Sequence, residues 1–176
     1  MKKSVLLLFF AGRVATGIFG IGRKIPMNRV NDLGQREGYW RDSVGGGFVY
    51  DLYYKGGKKD GLYKRFYRNK LFLFGEYTAD NISGTWYMFG DEGELRCTID
   101  SIELNKDSIY TGYCRIFCKY KCHSIDYYPS GAVKSEGYMV CDEEFEIEIW
   151  EIGEWKYYDE SGNLIKTKDY GDRRTP

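Results

Sequence analysis

The residues of this chain best suited to metal chemistry lie in one short segment, which contains three cysteines and the only histidine. Cys114, Cys118 and Cys122 recur every four residues, and His123 follows directly. Three thiolates and an imidazole could complete the tetrahedral shell of a zinc ion. Structural zinc, however, usually draws on Cys-x2-Cys turns that aim two sulfur atoms at one point, whereas successive cysteines here would lie about 13 Å apart along a strand. The spacing therefore predicts a strand that turns its cysteines towards the core, and no metal or other cofactor.

The other two cysteines, Cys97 and Cys141, bring the total to five, an odd number that is too small for a disulfide scaffold. Cysteine usage alone therefore leaves the redox compartment open. If the protein is exported, disulfides between the segment and Cys97 or Cys141 are the alternative to buried thiols.

A run of carboxylates offers a second possible chemistry. A calcium site or an acid–base pair would need oxygen atoms that converge on one point, but acidic and apolar residues alternate over 144–149, as in a strand with one solvated face. The pattern predicts a solvated face, and we expect no enzymatic activity. A hydrolase or transferase that uses scattered carboxylates such as Glu76 or Glu144 is the alternative. The run consists of Asp142, Glu143, Glu144, Glu146, Glu148 and Glu151.

Residues 54–70 carry seven basic side chains against one acid, with aromatic side chains between them. Such a segment could bind single-stranded nucleic acid by stacking or an anionic lipid headgroup by charge. The whole chain, however, balances 26 acidic against 26 basic residues and so has no global field that attracts a polyanion. We expect a solvated basic face, with a polyanion site as the alternative. The residues are Lys55, Lys58, Lys59, Lys64, Arg65, Arg68 and Lys70, interleaved with Tyr54, Tyr63, Phe66 and Tyr67.

Strands must position these segments, because the composition and periodicity are those of an all-β protein. The 176 residues fit one domain or one repeat array, and they include 17 Tyr, 10 Phe and 4 Trp together with 22 Gly. Aromatic residues favour strands, and glycines favour the turns between them. Apolar residues also alternate at Leu95, Cys97 and Ile99, and no segment has the 3.6-residue period of an amphipathic helix.

A repeat divides the chain into units. The pattern Gly-x-Trp or Gly-x-Tyr occurs in steps of 23 residues from Gly38 to Gly61 and on to Gly84, and Gly153 follows after 69, which is three times 23. Most units also contain an aromatic pair followed by a polar turn, as at 127–131 and 157–162. A period of this length is typical of tandem supersecondary units, so the sequence predicts an elongated antiparallel meander of tandem β-hairpins. The structural repeat positions are Gly38, Trp40, Gly61, Gly84, Trp86, Gly153 and Trp155.

Three stretches of the chain resemble a known repeat family. They read Asn-Asp-Leu-Gly-Gln-Arg-Glu-Gly-Tyr-Trp at 31–40, Lys-Lys-Asp-Gly-Leu-Tyr at 58–63 and Tyr-Tyr-Asp-Glu-Ser-Gly-Asn-Leu at 157–164. They are similar to the MORN-repeat variant family, whose bacterial members are often labelled YwqK-type antitoxins. The resemblance covers residues 31–169 and implies a sheet of β-hairpin units, no enzymatic activity and an antitoxin-like role. Residues 101–125 lack the Gly-x-Trp signature, which predicts either a degenerate unit or an extra hairpin.

The termini are predicted to lie outside the repeat domain, which we place at 23–170. Residues 1–22 begin with Met-Lys-Lys and an apolar run, the pattern of a secretory signal peptide, and an apolar N-terminal strand is the alternative. A signal would make the protein secreted or periplasmic; without one we expect it to be cytoplasmic. No stretch is long enough for a transmembrane helix, and residues 171–176 are predicted to be a disordered tail.

The function that the sequence favours is a non-catalytic module that binds a protein partner, because repeat arrays offer extended surfaces and aromatic side chains concentrate in interfaces. The aromatic residues that open the units are expected to be packed: Trp40, Tyr63, Trp86 and Trp155. Those near the turns are expected to be more exposed: Tyr54, Tyr67, Tyr128 and Tyr158. The candidate binding residues are Tyr54, Tyr63, Lys64, Arg65, Tyr67, Arg68, Tyr128 and Tyr158.

Overall fold

Alternating apolar residues and glycine-containing turns fold this chain into one antiparallel sheet. The computed structural model describes residues 26–107, 109–110, 115–116, 118–142 and 149–172. Eleven of its thirteen strands form the sheet in the order β1 to β7 and then β10 to β13. Each neighbouring pair is antiparallel, so the predicted all-β meander of successive hairpins is confirmed.

The strands are β1 (Arg29–Val30), β2 (Arg36–Val44), β3 (Phe48–Lys55), β4 (Lys58–Tyr67), β5 (Lys70–Thr78), β6 (Asn81–Phe89), β7 (Leu95–Leu104), β8 (Ile109–Tyr110), β9 (Arg115–Ile116), β10 (Tyr120–Tyr127), β11 (Val133–Cys141), β12 (Ile149–Tyr158) and β13 (Leu164–Asp169). Helical structure within the described ranges is limited to a 3-10 turn at Gly45–Gly47. None of the described residues belongs to a helix of the length and apolarity that crossing a membrane requires. The predicted signal peptide, most of the acidic run and most of the predicted tail lie outside the described residues.

One five-residue turn closes four of the hairpins. At 159–163 the amide of Asp159 donates to the carbonyl of Asn163 over 2.9 Å, and the amide of Gly162 donates to the carbonyl of Asp159 over 3.0 Å. Gly162 has a φ of 84°, which glycine adopts without the steric cost of a Cβ, and the arrangement is that of a three-residue hairpin loop with a bulge. The same two bonds recur at 31–35, 90–94 and 128–132. These predicted glycine-containing turns therefore share one hydrogen-bond pattern.

Two strand glycines make room for tryptophans of the following strand. A Cβ on Gly75 would lie 2.1 Å from the Trp86 ring, and a Cβ on Gly137 would lie 2.5 Å from the Trp155 ring. Each indole therefore lies directly on the backbone of the neighbouring strand. The glycines that open the units have unusual backbone angles as well, with φ between 61° and 129° at Gly38, Gly61, Gly84 and Gly153.

The main core lies on one side of the sheet, which we call the inner face. Trp86 is fully buried there, and its ring centroid lies 5.3 Å from that of Tyr77 and 5.5 Å from that of Tyr63. Trp155 is buried and Trp40 is half-buried against the same cluster, so the aromatic residues that open the units are packed. Side chains at the alternate positions point to the opposite side, the outer face. The buried core consists of Leu52, Tyr54, Tyr63, Leu73, Tyr77, Ile82, Trp86, Cys97, Ile99, Tyr120, Cys122, Met139, Cys141 and Trp155.

An extra hairpin interrupts the repeat at 101–125, which was one of the two predicted alternatives. Strands β8 and β9 form a two-stranded sheet of their own between β7 and β10 in the chain. Ile109 of this insertion packs with Cys118 and Val140 in a second, smaller core. Because Val140 alternates with Met139 along β11, this second core lies on the outer face.

The prediction that one strand carries the cysteine segment is wrong. Strand β9 ends at Ile116 and β10 begins at Tyr120, so Cys118 lies between strands. Cys118 and Cys122 are both buried, but they belong to different cores. Because the extra hairpin ends before Cys118, the cysteines that recur every four residues do not lie on one continuous strand. Cys114 lies outside the described residues.

Candidate functional site

The structure divides the basic segment 54–70 between the two faces of the sheet, so it does not form one surface. Lys64 lies on the outer face, whereas Tyr63 and Arg65, on either side of it, point into the core. Tyr54 is also buried, with only 8% of its surface exposed, and the expectation that it is an exposed contact residue is wrong. The basic residues of the segment that are mostly exposed lie near strand ends: Lys55, Lys58, Arg68 and Lys70.

Tyr54 is buried because it shares the inner face with Leu52, two positions before it on β3. Arg36 donates from Nη1 to the hydroxyl of Tyr54 over 2.8 Å, and its guanidinium lies 4.6 Å above the ring of Trp40. The rings of Trp40 and Tyr54 meet edge to face at 5.9 Å. Replacing Tyr54 would therefore disturb the fold, and the loss of a partner in such a variant would not identify a contact.

Arg65 is a core residue, with 5% of its surface exposed. Its guanidinium lies over the rings of Phe48 at 4.4 Å, Tyr50 at 5.3 Å and Phe72 at 5.5 Å. A planar guanidinium stacks well on aromatic faces, and its methylene stem packs as apolar surface. Arg65 thus ties β3, β4 and β5 together, and its charge faces rings rather than solvent.

Tyr67 and Arg68 lie where β4 turns into β5. The ring of Tyr67 lies 4.8 Å from that of Phe48, and the guanidinium of Arg68 lies 5.1 Å above the ring of Tyr67. Arg68 and Asn69 have φ values of 48° and 65°, as in the tight two-residue turns of β-hairpins. Arg68 is exposed to solvent, but its aromatic neighbour is already stacked within the fold.

Tyr128 and Tyr158, the other aromatic candidates, are half-buried, and each is hydrogen-bonded to the neighbouring hairpin strand. The hydroxyl of Tyr128 donates to the carbonyl of Tyr158 over 2.9 Å. The hydroxyl of Tyr158 donates to Glu136 over 2.6 Å, and this bond raises the pKa of Tyr158. Tyr128 therefore contacts the end of β12 and Tyr158 contacts β11, so both hydroxyl groups are already engaged within the fold.

A different set of side chains comes together on the outer face of β2, β3 and β4. The register places Arg41 opposite Asp51, and Asp51 opposite Lys64. Beside this row Tyr53 and Leu62 keep 46% and 54% of their surface exposed, and a shallow cavity of about 240 Å³ lies between them. We call the set the outer patch: Tyr39, Arg41, Asp51, Tyr53, Leu62 and Lys64.

A bidentate ion pair fixes the polar part of the outer patch. Arg41 donates from Nε and Nη2 to the two oxygens of Asp51 over 2.6 Å and 2.7 Å. Burial, together with a hydrogen bond to Asp51, raises the pKa of Tyr39 to about 12. Burial disfavours the charged form of Asp51, but hydrogen bonds from Arg41 and Tyr39 outweigh it and hold its pKa below the ordinary value. At neutral pH the carboxylate is therefore ionised and held in place.

Replacing Asp51 with asparagine should reduce the free energy of unfolding at neutral pH by about 1–2 kcal/mol, because charge-assisted hydrogen bonds are lost. A carboxyl group with a lowered pKa stabilises the fold above its unfolded pKa, and that contribution disappears as the pH falls through the folded pKa. The difference between wild type and Asp51→Asn should therefore shrink on acidification below about pH 4. Urea denaturation at a series of pH values measures both effects.

Asp42→Asn is the matched control, since Asp42 forms an exposed pair with Arg36 at 3.6 Å. Exposed ion pairs contribute less than about 1 kcal/mol, so this variant should unfold much like the wild type. An Asp51→Asn variant with wild-type stability across the pH range would show that the outer patch is not a fixed arrangement.

The cysteines in the described residues are buried thiols: Cys97, Cys118, Cys122 and Cys141. The sulfur atoms of Cys122 and Cys141 lie 3.4 Å apart, and this contact together with burial raises the pKa of Cys122. Burial raises the pKa of Cys97 to about 12. Such thiols remain protonated and are poor nucleophiles. Within the described ranges, no three His, Cys, Asp or Glu side chains converge as metal ligands would.

No protein-family model matches this chain, and no curated protein matches it in sequence. What the outer patch can bind therefore follows from the chemistry of its own side chains. Its residues other than Lys64 were not among the sequence-based candidates. A signal was available, because counting outwards from Gly46 in the β2–β3 turn places Arg41 directly opposite Asp51.

Proposed function

We propose that this chain is a non-catalytic interaction module that binds a protein partner through the outer patch. The observation that carries the proposal is the exposure of Tyr53 and Leu62 beside side chains that are already fixed. The fixed side chains, Arg41 and Asp51, lose little conformational freedom when a partner binds, which favours affinity. Tyrosine and arginine are also enriched among the residues that dominate interface energies.

The shape and charge of the outer patch indicate what the partner presents. The shallow cavity between Tyr53 and Leu62 is of a size to receive an apolar or aromatic side chain. Lys64 borders the cavity, and within the described part of the chain it forms no ion pair. We therefore infer that the partner places an apolar side chain in the cavity and a carboxylate next to Lys64. An antitoxin-like role, which the family resemblance implies, would be one instance of such binding.

Capture of the partner from a lysate of the source cells tests this proposal. The full chain is immobilised as wild type and as the double variant Tyr53→Ser and Leu62→Ser, and captured proteins are quantified by mass spectrometry. Loss of hot-spot contacts should reduce capture of the partner at least about tenfold. Melting temperatures should stay close to that of the wild type, because exposed substitutions change stability by only about 0.5 kcal/mol.

Leu104→Ser is the matched control, because Leu104 is similarly exposed, at 61%, elsewhere on the sheet. It should capture the partner as well as the wild type does. Equal capture by the double variant would refute the outer patch as the docking surface. If capture instead depends on the exposed Lys55, Lys58 and Arg68 and collapses on addition of salt, the alternative of an anionic lipid or nucleic acid takes its place.

A further inference from the structure

A cavity on the inner face has the size and lining of a small-molecule site. It measures about 440 Å³ and is lined by residues of strands from β5 to β12. The cavity is open to solvent on one side, and its volume lies above the lower limit of about 300 Å³ for small-molecule sites. The apolar wall of this cavity includes Phe72, Met88, Ile99, Met139 and Trp155.

A row of polar side chains crosses the same cavity. Cys97, Asp126, Ser135 and Tyr157 are direct neighbours on β7, β10, β11 and β12. The buried hydroxyl of Ser135 donates to Oδ2 of Asp126 over 2.8 Å. Asp126 also has a side-chain hydrogen bond with the thiol of Cys97. A carboxylate offers about four acceptor sites, so Asp126 is held in position while part of its capacity to accept hydrogen bonds is left over.

The charge of Asp126 is not balanced by an ion pair within the described residues. The ion pairs among the described residues join side chains other than that of Asp126. Arg96 and Lys134 reach the rim of the cavity, but both are exposed to solvent. Glu151, a second carboxylate, lines the cavity as well. A half-buried carboxylate next to an apolar wall favours a cation that brings its own donors, because burying an unpaired charge is costly.

We propose that this cavity binds a small organic ammonium ion that carries an aromatic ring. The ammonium group pairs with Asp126, and the ring packs against the half-buried Phe72 and Met88, with the buried Met139 and Trp155 beneath it. Thioether and aromatic groups are favourable partners for a ring. The site lies on the opposite side of the sheet from the outer patch. This proposal is therefore independent of the proposal that the outer patch binds a protein partner.

Calorimetric titration of the full chain with tyramine tests this inference. We expect saturable binding with a Kd below about 1 mM, and binding at least about tenfold weaker for 4-ethylphenol, which has the same ring without the ammonium group. The variant Asp126→Asn should lose at least about tenfold in affinity for tyramine. Glu160→Gln removes an exposed carboxylate elsewhere and should bind tyramine like the wild type.

Methyl NMR of the wild type provides a readout that does not depend on a variant that folds. Tyramine should shift the methyl signals of Met88 and Met139, which line the cavity, and leave the signal of the exposed Met27 unchanged. The inference is overturned if tyramine does not bind saturably at millimolar concentration, if 4-ethylphenol binds as tightly, or if all the methionine signals move together. A folded Asp126→Asn variant with unchanged affinity would overturn it as well.

Discussion

Gly75→Ala should destabilise the protein by about 3 kcal/mol or more, the upper range for overpacking a core. The new Cβ would lie 2.1 Å from the Trp86 ring, a distance at which one of the two groups must move. Trp86 has little room to move, because it is fully buried between Tyr63 and Tyr77. Chemical denaturation at neutral pH measures the loss.

Gly45→Ala is the matched control for this substitution. No atom lies within 4 Å of a Cβ at that position, and Gly45 does not have a positive φ. We expect this variant to be as stable as the wild type or slightly more so, because alanine restricts the unfolded chain. Gly137→Ala should repeat the large effect, since its Cβ would lie 2.5 Å from Trp155. A tolerated alanine at both Gly75 and Gly137 would contradict the packing of tryptophan on glycine.

Arg65→Ala should cost about 3 kcal/mol of stability, whereas Lys64→Ala should change stability by no more than about 0.5 kcal/mol. The two basic residues are adjacent in sequence but lie on opposite faces of the sheet. Removal of Arg65 leaves a hole among Phe48, Tyr50 and Phe72, the three rings that its guanidinium contacts. Lys64 borders the open cavity of the outer patch.

Urea denaturation of both variants measures this contrast, and Arg65→Met serves as a control that keeps most of the volume without the charge. Arg65→Met should recover part of the stability that Arg65→Ala loses, because the methylene stem packs as apolar surface. If Arg65→Ala instead has the same free energy of unfolding as the wild type and binds a polyanion such as single-stranded RNA more weakly, Arg65 belongs to a binding surface. The predicted difference in stability between the two variants would then be wrong.

Local patterns predicted the fold because each strand and turn carries its own signal. The alternation of Leu95, Cys97 and Ile99 gives one apolar face, and Cys97 and Ile99 are indeed buried. The turn at 159–163 combines a polar start with a glycine at the position that needs a positive φ. Such short-range signals are sufficient for a meander, in which each strand pairs mainly with its neighbours in sequence.

Face assignment is where prediction from sequence failed, because adjacent residues of a strand point to opposite sides. Tyr53 and Tyr54 are the same residue type one position apart, yet Tyr54 is buried and Tyr53 is exposed. Proximity to the turn suggested Tyr54 as a contact residue, whereas alternation from Leu52 would have placed it in the core. The β-bulges of the sheet, such as that between Arg65 and Phe66, shift this alternation locally and are not marked in the sequence.

The inner cavity could not be predicted because it depends on distant parts of the chain. Phe72 and Trp155 line the same cavity although 83 positions separate them in sequence. The sheet brings them together through its curvature, which arises from twist and bulges summed over many strands. Asp126 and Ser135 face each other across one hairpin, but counting residues from the 128–132 turn would have paired Asp126 with Lys134, because a bulge between Asp126 and Tyr127 shifts the register by one residue.

Site-specific photocrosslinking tests the proposed docking surface most directly. The photoreactive residue p-benzoylphenylalanine replaces Tyr53, Leu62 or, as the control, Leu104 in the full chain, and the crosslinked proteins are identified after irradiation in the source cells. All three positions are exposed, so the reagent is equally accessible. We expect one and the same protein to crosslink at positions 53 and 62 and not at position 104. Crosslinking of that protein at position 104 alone, or equally at all three positions, would contradict binding through the outer patch.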